Sequence, residues 1–145
     1  MTHPDYSIWV LEYSFAPEYP VSGVLYGAHN QGTLKLPYGY GVLKSSDRVI
    51  MVDVGYNHKK YGQVLAENAG VINWRSPEVV LSEIGLTPAD VTDVIITHAH
   101  FDHFGNAEDF PNATFHIQER EFSKWMWTLT LPAQFQNARF ALNPD

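Results

Sequence analysis

No cysteine occurs anywhere in this 145-residue chain, which rules out a disulfide framework and any thiolate metal site. A metal here would have to sit on imidazole and carboxylate, and a cysteine-free chain is in keeping with a cytoplasmic location. Positive charge is scarce too: nine Lys and Arg, scattered, stand against sixteen Asp and Glu, for a formal net charge of -7. Nothing in that pattern tracks a phosphate backbone or an anionic lipid surface, so neither nucleic acid nor membrane is an expected partner. The opening MTHPDYSIWVLEYSF has no basic stretch leading into an apolar one, and no apolar run approaches the length of a membrane span. Internal repeats, linkers and low-complexity segments are also missing. What remains is 45% hydrophobic, the composition of one compact unit covering residues 1–145.

Local patterns predict an α/β outline. SIWVLEY (7–13) alternates apolar residues, and GVLKSSDRVIMVDVG (41–55) reads as two β-runs joined by Ser45, Ser46 and Asp47, so a hairpin layer is expected at the N-terminal end. Between them, residues 16–41 are rich in Gly, Pro and Tyr without clear periodicity and read as a long loop, a candidate pocket wall. SPEVVLSEIGL carries the signals of a helix: Ser76 as N-cap, Pro77 at the first position, Val80, Leu81 and Ile84 at helical spacing, and Gly85 as the stop. TPAD then begins a short helical turn. VTDVIITH (91–98) reads as a buried strand, FPNATFHIQ as a turn and strand, and EREFSKWMW as an amphipathic helix.

The strand at 91–98 delivers the densest chemistry in the chain. THAHFDHFGN places His98, His100, Asp102 and His103 within six positions, followed by Gly105 and an expected helix start. Several donors on one tight turn at the carboxyl end of a strand lie where open α/β sheets keep their binding crevices. Neutral imidazole and carboxylate suit Zn, Mn or Fe, and such mixed donors from one loop can be shared between two adjacent ions. The other histidines carry less: His116 sits alone in a strand, where packing or solvation is its ordinary role, and His3, His29 and His58 fall in a tail or loops. Trp74, Trp125 and Trp127 fit ordinary packing better than a substrate-stacking wall.

THAHFDHFG resembles the HxHxDHxG signature of the metallo-beta-lactamase superfamily, and VIMVDVGY resembles the strand ending in Asp and Gly that precedes it there. The stretch from Ser82 to Phe122 is further similar to the N-acyl homoserine lactonase branch, so the likeness covers most of residues 40–122. The resemblance implies the N-terminal αβ half of an αββα sandwich and a dinuclear site holding two divalent ions, zinc first. It implies that His98 and His100 bind one metal, that Asp102 and His103 bind the second, and that Asp53 supports the cluster from behind. Two ions roughly 3.5 to 4 Å apart would acidify a bridging water from a pKa of about 15.7 toward 7, so that metal-bound hydroxide serves as nucleophile. Asp102 would then orient that hydroxide or pass a proton to the leaving group.

The later ligands of the superfamily, a further His, a bridging Asp and a last His, have no counterpart after His103, since His116 comes too soon. A half sandwich leaves one sheet face uncovered, which is an association surface. A split enzyme is therefore expected, with a second small subunit supplying the C-terminal half and the missing ligands around a small-molecule substrate. The opening Met, the helix caps and an end between elements are in keeping with a natural half-subunit. This half-length is similar to the two-subunit nitroaryl methyl ether demethylases of the superfamily, which implies hydrolysis of 2,4-dinitroanisole to 2,4-dinitrophenol and methanol. The alternatives are a lactone or ester hydrolase, whether whole or truncated, and a non-catalytic remnant that binds a partner.

Overall fold

Neighbouring β-runs in the first third of the chain pair locally, and later ones pair through crossovers, giving a mixed sheet. The computed structural model describes residues 5–139, 141 and 142; His3 lies outside them. Strands β1 (Ser7–Pro20), β2 (Thr33–Lys44), β3 (Val49–Val52), β4 (Asp93–Ile96) and β5 (Thr114–Ile117) form one five-stranded sheet in that order. The first three are antiparallel neighbours, while β3, β4 and β5 run parallel. Helices α1 (Lys60–Asn68) and α2 (Pro77–Ser82) lie in the β3–β4 crossover, α3 (Phe101–Phe104) between β4 and β5, and α4 (Glu119–Leu129) after β5. This is the expected α/β class, with the strand–helix alternation of a layered half-sandwich.

Several expected elements form for the reasons read in the sequence. The Ser76 hydroxyl caps α2 by accepting from the Val79 amide, Pro77 occupies the first turn, and Gly85 leaves with φ +69°. Ser45 and Asp47 tie the β2–β3 turn through the Ser45 hydroxyl. Helix α1 has no such start signal: Lys59 at its N-cap makes no side-chain cap bond and its first turn holds no acidic residue.

Segment 16–41 is not a long loop. β1 runs on to Pro20 and β2 begins at Thr33, leaving only 21–32 outside the sheet, part of it a short 3-10 turn. Leu34, Leu36, Tyr38, Tyr40 and Val42 alternate at strand period, a pattern masked by Pro37, Gly39 and Gly41 between them. Register shifts after Glu12 and Ala16 accommodate the extra β1 residues as bulges. The helix expected after Gly105 begins four residues before it, inside the histidine motif itself.

Register divides the sheet into two unequal faces. Trp9, Val42, Met51, Val94 and Phe115 are successive cross-strand partners on one face, and Val42, Met51 and Val94 are fully buried. Ala66 of α1 and Val80 and Leu81 of α2 join them in a single core cluster. On the other face the partners are Val10, Gly41, Val52, Ile95 and His116, with Ile8, Leu43 and Ile50 alongside. There Val10 is 84% exposed, Ile8 68% and Ile95 45%. The strand at 91–98 is thus buried on one side only, because no helix among the described residues covers the second face. His116 shares this face and pairs with Asp93 through Nε2 at 3.0 Å.

Parallel pairing of β3 and β4 brings their carboxyl ends together and sets the segment after each side by side. Gly105 is where those segments touch. A Cβ there would lie 2.6 Å from the Phe101 carbonyl oxygen, 2.8 Å from Tyr56 Cα and 2.9 Å from the Asn57 nitrogen. Backbone on every side cannot yield as a flexible side chain can. Gly105→Ala is expected to destabilise the chain by about 1–3 kcal/mol, as overpacking does, read as a lowered urea midpoint with an unchanged slope.

Candidate metal centre

The chain leaves β3 through a strained residue. Asp53 has φ +62°, a left-handed conformation that Asp tolerates better than most, and it is almost wholly buried. Its amide donates to the Ile95 carbonyl at 2.9 Å, extending the β3–β4 ladder by one bond. That turn aims the carboxylate at the first residue after β4: the Thr97 amide donates to Oδ1 at 2.9 Å and the Thr97 hydroxyl to Oδ2 at 2.8 Å. His103 Nδ1 donates to the same Oδ2 at 2.7 Å. With its proton given to Asp53, the Thr97 hydroxyl accepts from His98 Nδ1 at 3.0 Å. Asp53 therefore settles the orientation of His103 directly and of His98 through one hydroxyl, leaving the Nε2 atoms of both rings turned away from these bonds.

The four motif residues expected to act together are together. The His98 ring centroid lies 4.5 Å from that of His100 and 3.9 Å from that of His103. Asp102 Oδ2 is 3.4 Å from His103 Nε2. The backbone of this loop is held from several directions. Val54 donates to the His103 carbonyl at 2.9 Å, Gly105 to Gly55 at 2.8 Å, and Phe101 to Ala141 at 2.7 Å. The Ala99 amide donates to Glu121 Oε1 of α4 at 3.1 Å, and the same oxygen accepts from the Trp125 indole. Trp125 is buried and presents an edge to His100 at 5.5 Å.

Protonation follows these contacts. Burial, reinforced by the neighbouring His103, holds His98 below the ordinary imidazole value, and burial with His98 does the same to His100. Burial also opposes charge on His103, but hydrogen bonds to Asp102 and Asp53 outweigh it and push this imidazole up to about 9. For Asp53 burial works against ionisation, and the bonds from His103 and Thr97 overcome it, leaving the carboxyl below its usual range.

Two neutral imidazoles and a carboxylate are donors that suit a divalent ion in kind, and His103 would join them only on losing its Nε2 proton. Among the described residues, though, no three His, Asp or Glu side chains are arranged so that they could hold one. His103 is engaged by carboxylates at both ring nitrogens, and the set is an open, incomplete one. Beside His100 lies a cavity of about 400 Å³ whose wall includes Phe104, Phe122, Trp125, Met126 and Leu129. Of the residues set aside in the sequence, Trp125 reaches the site. Trp127 is exposed, His29 is exposed in the 21–32 segment, and His58 stacks on Trp74 at 5.2 Å. No residue of 16–41 lines that cavity.

A signature at the end of a parallel strand, an aspartate ending the strand beside it, and a match of residues 40–142 to the model of the metallo-beta-lactamase superfamily coincide here. The chain belongs to the metallo-beta-lactamase superfamily. A probable metallo-hydrolase of Methanocaldococcus jannaschii is 50% identical over 42 residues, covering 29% of this chain and 21% of its own. The N-acyl homoserine lactonase AttM of Azorhizobium caulinodans is 37% identical over 62 residues, covering 43% of this chain and 21% of its own. The crystal structure of a probable metal-dependent hydrolase from Staphylococcus aureus superposes with a TM-score of 0.64 at 24% identity, over 88% of this chain and 52% of that one. The chain thus spans about half of that solved chain, and its sequence matches about a fifth of either curated relative. That half is the N-terminal one.

Asp53 and His103 stabilise one another over a definite pH range in chelator-treated protein. The folded value of His103 lies above its ordinary 6.5, so its share is complete below that pH and lost as pH rises through about 9. The value of Asp53 lies below 3.8, so its share is present above that pH and lost as pH falls through the folded value. Asp53→Asn is accordingly expected to cost about 1.5–3 kcal/mol near pH 6, the range for hydrogen bonds to charged groups. The gap to wild type narrows in urea melts at pH 10.

Proposed function

We propose that this chain is one subunit of a split metal-dependent hydrolase. The observation that carries this reading is the convergence of His98, His100, Asp102 and His103 over the carboxylate of Asp53 at the ends of β3 and β4. Residues 1–145 count as one half-domain. A second small subunit completes it, covering the face that exposes Ile8, Val10 and Ile95 and supplying the ligands that this chain lacks. The apolar side chains left exposed on that face, Val10 at 84% and Ile8 at 68%, support that assembly. A cytoplasmic location suits a cysteine-free hydrolase of this kind.

His98 and His100 would hold one divalent ion, and Asp102 and His103 the other, zinc being the first choice and manganese or iron the alternatives. When bound, such a pair supplies Lewis acidity and water acidified to near neutrality. Asp53 keeps Nδ1 of His103 occupied, so that Nε2 is the atom presented to the site. Asp102 would accept a hydrogen bond from the attacking water and relay its proton to the leaving group. Trp125, Phe122 and Phe104 offer an apolar wall beside His100 that suits a flat aromatic substrate.

The specific reaction we assign is hydrolytic demethylation of a nitroaryl methyl ether, with 2,4-dinitroanisole and water giving 2,4-dinitrophenol and methanol. Attack occurs at the ring carbon bearing the methoxy group, where the nitro groups withdraw the added negative charge. Likeness to the lactonase AttM favours a second reading, in which water attacks a lactone carbonyl on the same residues.

Co-expression with the neighbouring gene, followed by native mass spectrometry and metal analysis, tests the assembly. The expected result is a complex of two small proteins with about two metals per pair, active on activated aryl ethers. A lactone-only activity replaces the ether assignment with the second reading, whereas a metal-free chain that captures no partner replaces both with a non-catalytic remnant. In the assembled enzyme, Asp102→Ala is expected to lower kcat by about a hundredfold or more; normal metal content with full activity removes Asp102 from the mechanism.

A further inference from the structure

Tyr13 is a buried phenol that the proposed chemistry leaves unused. It lies in β1, 1% exposed, stacked on Tyr40 at 5.2 Å and flanked edge-on by Tyr56 at 5.7 Å and Tyr38 at 6.5 Å. Space is reserved for its ring. A Cβ on Gly55 would lie 3.0 to 3.2 Å from three atoms of that ring, and Gly55 itself has φ +73°. The hydroxyl donates to the backbone carbonyl of Asp102 at 2.8 Å, across 89 residues of sequence. Burial, with the nearby Asp102 charge adding to it, raises its pKa well above the ordinary phenol value, so it remains a donor at any physiological pH.

That carbonyl belongs to the peptide joining Asp102 to His103. Both sit in α3, four residues long and unable to satisfy its own last carbonyls. Rotation of this one peptide redirects two side chains at once. His103 has a second restraint in Asp53, but the Asp102 carboxylate has, among the described residues, only His103 Nε2 at 3.4 Å. Its aim is therefore set by the main chain, and the main chain there is tied by Tyr13. Tyr40, a ring stacked on the same tyrosine, provides the contrast: its hydroxyl is buried with no partner among the described residues.

We propose that Tyr13 is a positioning residue, whose buried hydroxyl fixes the Asp102–His103 peptide and thereby the aim of both side chains toward the ion they share. The metal-directed part rests on the reading of Asp102 and His103 as ligands, while the fixing of the loop stands on geometry alone. Outer partners that orient ligands typically contribute tenfold to a hundredfold in metal affinity.

Three variants of the full chain, with its partner where one co-purifies, separate positioning from general stability. Tyr13→Phe removes one oxygen, Tyr40→Phe removes a hydroxyl that holds nothing, and Leu81→Val opens a small cavity in α2 away from the loop. Cobalt(II) titration followed by its visible spectrum is the first readout, and amide hydrogen exchange of the chelated protein is the second. Tyr13→Phe is expected to weaken cobalt binding by about tenfold or more, with an altered spectrum, and to speed exchange at His103 and Gly105. Tyr40→Phe and Leu81→Val are expected to leave cobalt affinity, spectrum and the ratio of loop to core exchange unchanged. Cobalt affinity and loop exchange in Tyr13→Phe indistinguishable from Leu81→Val overturn the proposal. Wild-type protein that binds no cobalt, with the loop still loosened only in Tyr13→Phe, upholds the positioning role and overturns the ligand assignment beneath it.

Discussion

One carboxylate joins the two halves of this site. Asp53 accepts from the backbone and hydroxyl of Thr97 and from His103, so the turn after β3, the turn after β4 and helix α3 share a single anchor. Such a junction exists only because β3 and β4 are parallel neighbours, which brings two carboxyl ends to one edge of the sheet. An antiparallel pair would have placed the loops at opposite ends. The left-handed backbone at Asp53 is the local strain that this geometry carries, stabilised by the bonds that the aimed carboxylate makes.

The sheet that supports the site is lopsided. One face buries Val42, Met51 and Val94 beneath α1 and α2, and the other shows Val10 and Ile95 to solvent. Apolar side chains gathered on an open sheet face make an association surface, and the proposed second subunit would cover it. His116 and Asp93 near the β5 edge place a polar pair on it, which discourages indiscriminate strand-to-strand pairing while leaving the apolar centre open.

Much of this was legible from the sequence, for reasons of range. Ser76, Pro77 and Gly85 mark a helix through interactions within a few residues, and they do so in the structure as written. His98 to His103 is legible because its donors are neighbours on one turn. Tyr13 and Glu121 were not legible as supports of that turn, because they reach it from 89 and 22 residues away and no local pattern encodes the distance. Residues 33–44 misled for a different reason: glycine and proline at alternate positions have loop composition, yet the remaining positions keep strand period, and pairing with β1 decides the outcome. Helix α1 formed without a cap, held instead by the burial of Ala66 against the core.

The contact between Tyr13 and Asp102 also bears on the order in which the molecule is made. Strands β1, β2 and β3 find one another over short stretches of chain, so a meander can form as soon as the first 52 residues are free. The histidine loop has no such autonomy, since its supports lie in β1, after β3 and in α4. Closing loops of that span costs entropy that is recovered only when all of the contacts form together. The donor cluster is therefore a late product of folding, and its geometry is a record that β1, the segment after β3 and α4 have docked around it.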